Sequence, residues 1–135
     1  DFPALHLLGR TGVVLLPHLG ASTREAEENC AIMVSDQIRD YLLDGTIANA
    51  VNFPAVALPR ESAYRIAIAN ANVPNMVAQV SHEMAERGLN IATMTNKSRG
   101  ELAYTLVDVD SPVSAEVIDA IASLDGVLKV RYLPA

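Results

Sequence analysis

Cysteine is almost absent from this sequence. Cys30 is the only one in 135 residues, so neither a disulfide framework nor a multi-cysteine metal site forms within one chain. That usage predicts a reducing, cytoplasmic setting and no metal. Basic residues are also few, ten against sixteen acidic for a net charge of -6, and they are scattered. A phosphate-backbone partner wants a basic face, so nucleic acid is not expected. No apolar run approaches the roughly 18 residues of a membrane span, and no basic-then-apolar leader opens the chain. The seven glycines never fall into G-x-G-x-x-G, the spacing that cradles a dinucleotide. Asn96-Lys97-Ser98 matches the glycosylation sequon, which in a cytoplasmic chain is a chance match.

What is present is apolar residues, half of the total, enough for one domain or one small domain with an appendage. Val13 to Leu16 is a continuous apolar run ended by Pro17, which predicts a strand buried on both faces. Its neighbours are not evident and the chain has no initiator methionine, so it is expected to be cut from something longer. Pro17-His18-Leu19-Gly20 then places an imidazole at a strand-to-helix junction, where α/β enzymes tend to keep their chemistry. Ser22 and Glu25 form a capping-box pattern, and a helix is predicted from Thr23 to Asp44, stopped by Gly45. Ala26, Cys30, Met33, Val34, Ile38, Tyr41 and Leu42 fall on one face of it. At 1.5 Å per residue the helix is roughly 33 Å long, and its stripe is expected to pack on another domain or another copy. Residues 51–62, with Pro54 and Pro59 and no helical period, are read as an extended linker.

From Tyr64 the pattern shortens. Strands are predicted at 64–70, 90–98, 101–110 and 127–133, with helices at 74–87 and 112–124. Val77, Val80 and Met84 of the first helix, and Val117, Ile118, Ile121 and Leu124 of the second, are expected to face inward. The order β-α-β-β-α-β is the split βαβ or ferredoxin-like plan, an antiparallel sheet with both helices on one face. An RNA-recognition module on that plan needs strand aromatics, and only Tyr64 and Tyr104 qualify on an acidic chain. A metallochaperone needs Cys-x-x-Cys in the first loop, which here reads Asn70-Ala71-Asn72-Val73-Pro74-Asn75. Amide side chains ahead of a helix N-terminus suit a small zwitterion, because they donate and accept while the free N–H groups attract a carboxylate. Asn90 opens the next strand and is expected to approach the same end. The alternative is that Asn72 caps the helix and Asn90 serves a turn.

These residues carry a resemblance over essentially the whole chain. PHLGASTREAEENCA followed by QIRDYLLDGTIANAVNFP resembles the end of the catalytic portion of the D-3-phosphoglycerate dehydrogenases, in the D-2-hydroxyacid dehydrogenase family. The module after it resembles the ACT domain attached there. The implied fold is α+β: a ferredoxin-like ACT regulatory domain at 63–135, a linker at 51–62, and a strand, histidine loop and long helix at 1–50 left from an α/β dehydrogenase domain.

The resemblance implies that His18 is the acid/base that takes the substrate 2-hydroxyl proton while hydride passes to NAD, chemistry that suits a group with a pKa near 6.5. NAD belongs to the parent enzyme; no cofactor is expected on this chain, which lacks the dinucleotide loop and is expected to be inactive alone. His6 and His82 are read as incidental. The resemblance further implies that L-serine, or another small amino acid, binds between the ACT domains of two subunits and inhibits. Its contacts fall on Asn70, Asn72 and Asn90, with Asn70 in place of a histidine and Asn75 in place of a glycine. The expected role is therefore amino-acid sensing and homo-oligomerisation through the ACT domain and the long helix. The alternatives are a structural ACT pair that binds no ligand and a self-contained enzyme using His18.

Overall fold

Alternation of side chains begins at Tyr64, and the computed structural model, which describes residues 5–16 and 19–134, turns it into strand β1 (Tyr64–Ala71). It sends Ile66 and Ile68 to one face of a sheet and Ala67 and Ala69 to the other. Helix α2 (Met76–Glu86), strands β2 (Ile91–Arg99) and β3 (Leu102–Val109), helix α3 (Ala115–Ala122) and strand β4 (Val127–Pro134) follow. The sheet order is β2-β3-β1-β4, every pair antiparallel. This is the ferredoxin-like plan expected from the pattern, and the class is α+β.

The core under the helices gathers Ile66, Ile68, Val107 and Val109 from the central strands with Val80, Met84, Val117 and Ile121 from α2 and α3. Each such side chain contributes roughly 1.5 to 3 kcal/mol by burial. One inward position is corrected. Val77 is exposed and Met76 buried, because α2 begins at Met76 rather than Pro74, and 76, 80 and 84 form the sheet-facing row.

Two compact units are distinguished, 1–36 and 37–135. In the first, Val13–Leu16 forms no strand, and Val14 and Leu16 are largely exposed. A strand buried on both faces needs hydrogen-bonded neighbours, and no strand lies among the described residues of this unit. Helix α1 (Arg24–Asp44) matches the expected span within a residue. Its cap is Thr23 rather than Ser22: the Thr23 Oγ1 accepts the Ala26 N–H at 3.2 Å, and the Thr23 carbonyl accepts that of Glu27 at 2.9 Å. No residue of α1 is buried. The expected stripe is therefore exposed in the single chain, and Ile32 and Leu43 widen it.

The second unit departs from the linker reading. Its sheet is covered on the face away from α2 and α3 by residues 45–58, where Ile47 and Val56 form a β-bridge and pack on Ala67, Tyr104, Leu106 and Leu133. Phe53 meets the Tyr104 ring edge-on at 6.1 Å. Lys97 and Arg99 donate to the carbonyls of Ala55 and Ala50. Gly45 stops α1 at φ 70° and donates to the Tyr41 carbonyl at 3.1 Å. A Cβ on Gly45 would lie 2.9 Å from Leu106 Cδ2, so glycine is needed both for the left-handed backbone and for close seating on the sheet.

A buried ion pair locks this face. Arg65 and Asp108 are both fully buried, with Nε to Oδ1 at 2.6 Å and Nη2 to Oδ2 at 2.8 Å. The rest of the guanidinium donates to the carbonyls of Asp44, Leu58 and Pro59. Arg131 donates to those of Tyr41 and Leu42 and lies 4.6 Å over the Tyr41 ring. Two guanidinium groups thus satisfy carbonyls at the negative end of α1. Burial pushes the Asp108 carboxyl up, but hydrogen bonds from Arg65 and the Glu61 N–H, with the Arg65 and Arg60 charges, hold it below its ordinary value. Tyr104 is shifted up, by burial first and the nearby Tyr41 second.

Asp108→Asn leaves the buried Arg65 charge unpaired and is expected to cost about 3–5 kcal/mol in denaturant unfolding. Because the folded pKa of Asp108 is depressed, its contribution is present above the unfolded value of about 3.9 and is lost as pH falls through the lower folded value. A pH series of unfolding midpoints is expected to show a loss below about pH 4 that Asp108→Asn removes. Gly45→Ala is expected to cost at least about 1–2 kcal/mol, read from the same curves.

Candidate functional site

Strand β1 delivers its last residues into a loop that carries no charge from Asn70 to Val80. Asn70 lies on the helix side of the sheet, 2% exposed, and its Nδ2 donates to the Ala71 carbonyl at 2.7 Å. Asn72 is exposed and ties the loop to the β2–β3 turn. Its N–H donates to the Glu101 carbonyl at 2.8 Å and its Nδ2 to that of Gly100 at 2.9 Å. It does not cap α2.

The cap position belongs to Asn75, whose backbone is left-handed at φ 71°, ψ 0° with no side-chain cap bond. Asparagine tolerates that conformation better than other residues with a Cβ. The glycine that the resemblance expects here is thus replaced by a residue able to keep the same backbone. The first intrahelical bond of α2 runs from the Gln79 N–H to the Asn75 carbonyl, so the N–H groups of Met76, Val77 and Ala78 form the open positive end of the helix. Neutral amides beside open N–H groups can bind a carboxylate and hydrogen-bond its neighbouring polar groups, without a formal charge on the protein side.

Asn90 is not brought to this end. Ile91 pairs with Val109 and Val109 with Tyr64, so Asn90 lies beside the start of β1, whereas Asn70 and Asn72 lie at its finish. Six residues of strand separate the two ends, roughly 20 Å. The expectation that Asn90 approaches the first loop fails within one chain because α2 returns antiparallel to β1 and β2 starts where β1 started. Asn90 is exposed, and its carbonyl accepts the Asp110 N–H at 3.2 Å.

His18 lies outside the described residues. His6 sits in a short 3-10 turn, and His82 is on the exposed surface of α2, 3.8 Å from Glu86. Among the described residues no group of three His, Cys, Asp or Glu side chains could hold a metal, and Cys30 is exposed. No described helix is long and apolar enough to cross a membrane. The dinucleotide loop that NAD would need is not supplied by the glycines of this chain.

No family model matches the chain. It is 32% identical over 123 residues to the D-3-phosphoglycerate dehydrogenase of Escherichia coli (strain K12), covering 90% of this chain and 30% of that protein. It is 36% identical over 121 residues to the D-3-phosphoglycerate dehydrogenase of Dictyostelium discoideum, covering 89% and 29%. The chain therefore spans about three-tenths of the length of these relatives. Among solved structures it is similar to the ACT domain from GTP pyrophosphokinase of Chlorobium tepidum, with TM-score 0.47, 16% identity and coverage of 52% of this chain and 95% of that one. The regulatory subunit of aspartate kinase from Thermus thermophilus gives TM-score 0.46 and 20% identity, covering 61% and 56%.

Asn75→Gly is expected to leave stability within about 0.5 kcal/mol, while Asn75→Ala loses about 1 kcal/mol or more because alanine resists the left-handed backbone. Thermal unfolding of the two variants side by side checks this, and equal losses would contradict a backbone requirement at position 75.

Proposed function

The chain is a homologue of the D-3-phosphoglycerate dehydrogenases over nine-tenths of its length, and from that premise we propose that it is the C-terminal regulatory part of such an enzyme. The parent is an NAD-dependent oxidoreductase that converts 3-phosphoglycerate to 3-phosphohydroxypyruvate, the first step of L-serine biosynthesis in the cytoplasm. Residues 1–50 are what remains here of its catalytic portion, 51–62 join it to the module while packing on the module's sheet, and 63–135 are the ACT module. His18 moves the proton of the 2-hydroxyl in the assembled enzyme. NAD is held by parts of the parent beyond these residues, so this chain alone is inactive.

The module binds L-serine or a similarly small amino acid. The observation that carries this reading is the uncharged loop, bearing Asn70 and Asn72, that leads through Asn75 into the open N–H groups of α2. A ligand that also meets Asn90 needs two chains, because one chain holds Asn90 at the far end of β1. In a two-fold pair each contact occurs twice, and Asn70 and Asn72 of one copy face Asn90 of the other. The exposed apolar face of α1 adds a second reason for association. Serine then favours the arrangement of subunits in which its site is formed, and so acts on the active site through linkage.

A second reading is favoured by the hydrogen bonds already made. The amides of Asn70 and Asn72 donate to Ala71 and Gly100, as they would in an ACT pair that joins subunits and senses nothing.

Calorimetric titration with L-serine separates the two. Saturable heat at or below millimolar serine, weakened several-fold by Asn72→Ala, is expected; a sedimenting dimer that gives no heat assigns the structural role. Sedimentation velocity is expected to show at least a dimer. Incubation with NAD and 3-phosphoglycerate is expected to give no turnover, and turnover by this chain alone would overturn the regulatory reading.

A further inference from the structure

The helix side of the sheet changes character along its length. Opposed residues run in rows across β2, β3 and β1: Met94, Val107 and Ile66 form an apolar row, the next sets Asn96 and Thr105 beside Ile68, and the last holds Ser98, Ala103 and Asn70. The polar members of these last two rows, Asn96, Thr105, Ser98 and Asn70, lie toward the end of the sheet that carries the first loop. Thr105 is 3% exposed, in a position where valine would pack as well and bury no hydroxyl. Asn96 is exposed beside it, and its Nδ2 donates to the Thr105 Oγ1 at 2.7 Å.

That bond sets the polarity of the pair. The Thr105 oxygen accepts from Asn96, so its own hydrogen remains to be donated, and the amide held in this orientation turns its Oδ1 outward as an acceptor. No cation of β2 joins them, because Lys97 and Arg99 donate to Ala55 and Ala50 on the opposite face. A neutral donor beside a neutral acceptor matches a hydroxyl or a carboxamide. It repels a carboxylate through the Asn96 oxygen and offers an ammonium no counter-charge.

We infer that Asn96 and Thr105 form a specificity-determining subsite beside the asparagine loop that reads a neutral hydrogen-bonding side chain on the amino-acid ligand. This rests on the effector reading above and narrows it: the loop and the α2 terminus hold the groups that all amino acids share, and the strand pair distinguishes their side chains. A purely structural role for the pair predicts no such discrimination.

The test is calorimetry on the whole chain with L-serine, L-alanine, L-asparagine and L-aspartate as probes. Serine is expected to bind about tenfold more tightly than alanine, the effect of one good hydrogen bond, and asparagine more tightly than aspartate. Thr105→Val, and separately the surface change Asn96→Ala, are expected to erase the serine preference while leaving alanine binding unchanged. A serine-to-alanine ratio unaltered by Asn96→Ala overturns the inference and leaves the effector reading standing. Equal weakening of both ligands also overturns it, since the pair then serves the fold. No heat from any of the four ligands on the unmodified chain ends the effector reading and this inference together.

Discussion

The second unit depends on one interaction, the bidentate pairing of Arg65 with Asp108 between the two central strands. Taking both ions out of water is costly, and the pair is worth keeping only where geometry is good and every remaining donor is satisfied. Here all the N–H groups of the guanidinium have an acceptor: the carboxylate takes two, and the carbonyls of Asp44, Leu58 and Pro59 take the rest. One side chain therefore ties the end of α1, the segment after it and the middle of the sheet to a common point. Arg131, on β4, repeats the device on the neighbouring carbonyls of the same helix. Hydrophobic packing alone would hold residues 45–58 against the sheet with little directional preference. The arginines fix where they sit.

This explains which parts of the fold were legible in the sequence. The six elements after Tyr64 follow from alternation, helical spacing and glycine stops, and their bounds shift by only a few residues. The cover on the other sheet face does not follow from any period. Ile47, Val56 and Phe53 are apolar residues among prolines and asparagines, and their burial depends on the sheet they meet, which lies far along the chain. Nothing local in YRIAIANA or LVDVD distinguishes a solvent-facing charge at Arg65 or Asp108 from one paired across strands. At the site, the character of the first loop was legible from its asparagines. The position of Asn90 was not, because it depends on the direction in which α2 returns. The expected strand at Val13–Leu16 was read from composition, and composition does not supply a neighbouring strand.

The site and the clasp lie on different faces of the sheet, and β3 serves both. Thr105 and Val107 face the helices while Tyr104, Leu106 and Asp108 face the other way. The backbone of β3 is therefore common to the polar end of one face and to the face on which residues 45–58 pack. The phenol of Tyr104 is buried without a hydrogen-bond partner, close to Gly45. Burial of an unpaired polar group is unfavourable, so this is a place where the packing of the helix end is less than fully satisfied. Under the proposed function, β3 is thus a strand that two layers share, the kind of element through which linkage acts.

The cover formed by residues 45–58 has a practical consequence for dissecting the protein. Cutting the chain at 63, where the pattern of the module begins, would strip one face of the sheet, leave Tyr104, Leu106 and Leu133 open to water, and remove three of the carbonyls that Arg65 serves. The functional module and the folding unit therefore start at different residues. A truncated piece that keeps this cover and its ties has to begin before Tyr41, whose carbonyl Arg131 serves, and so carries the last turn of the long helix with it.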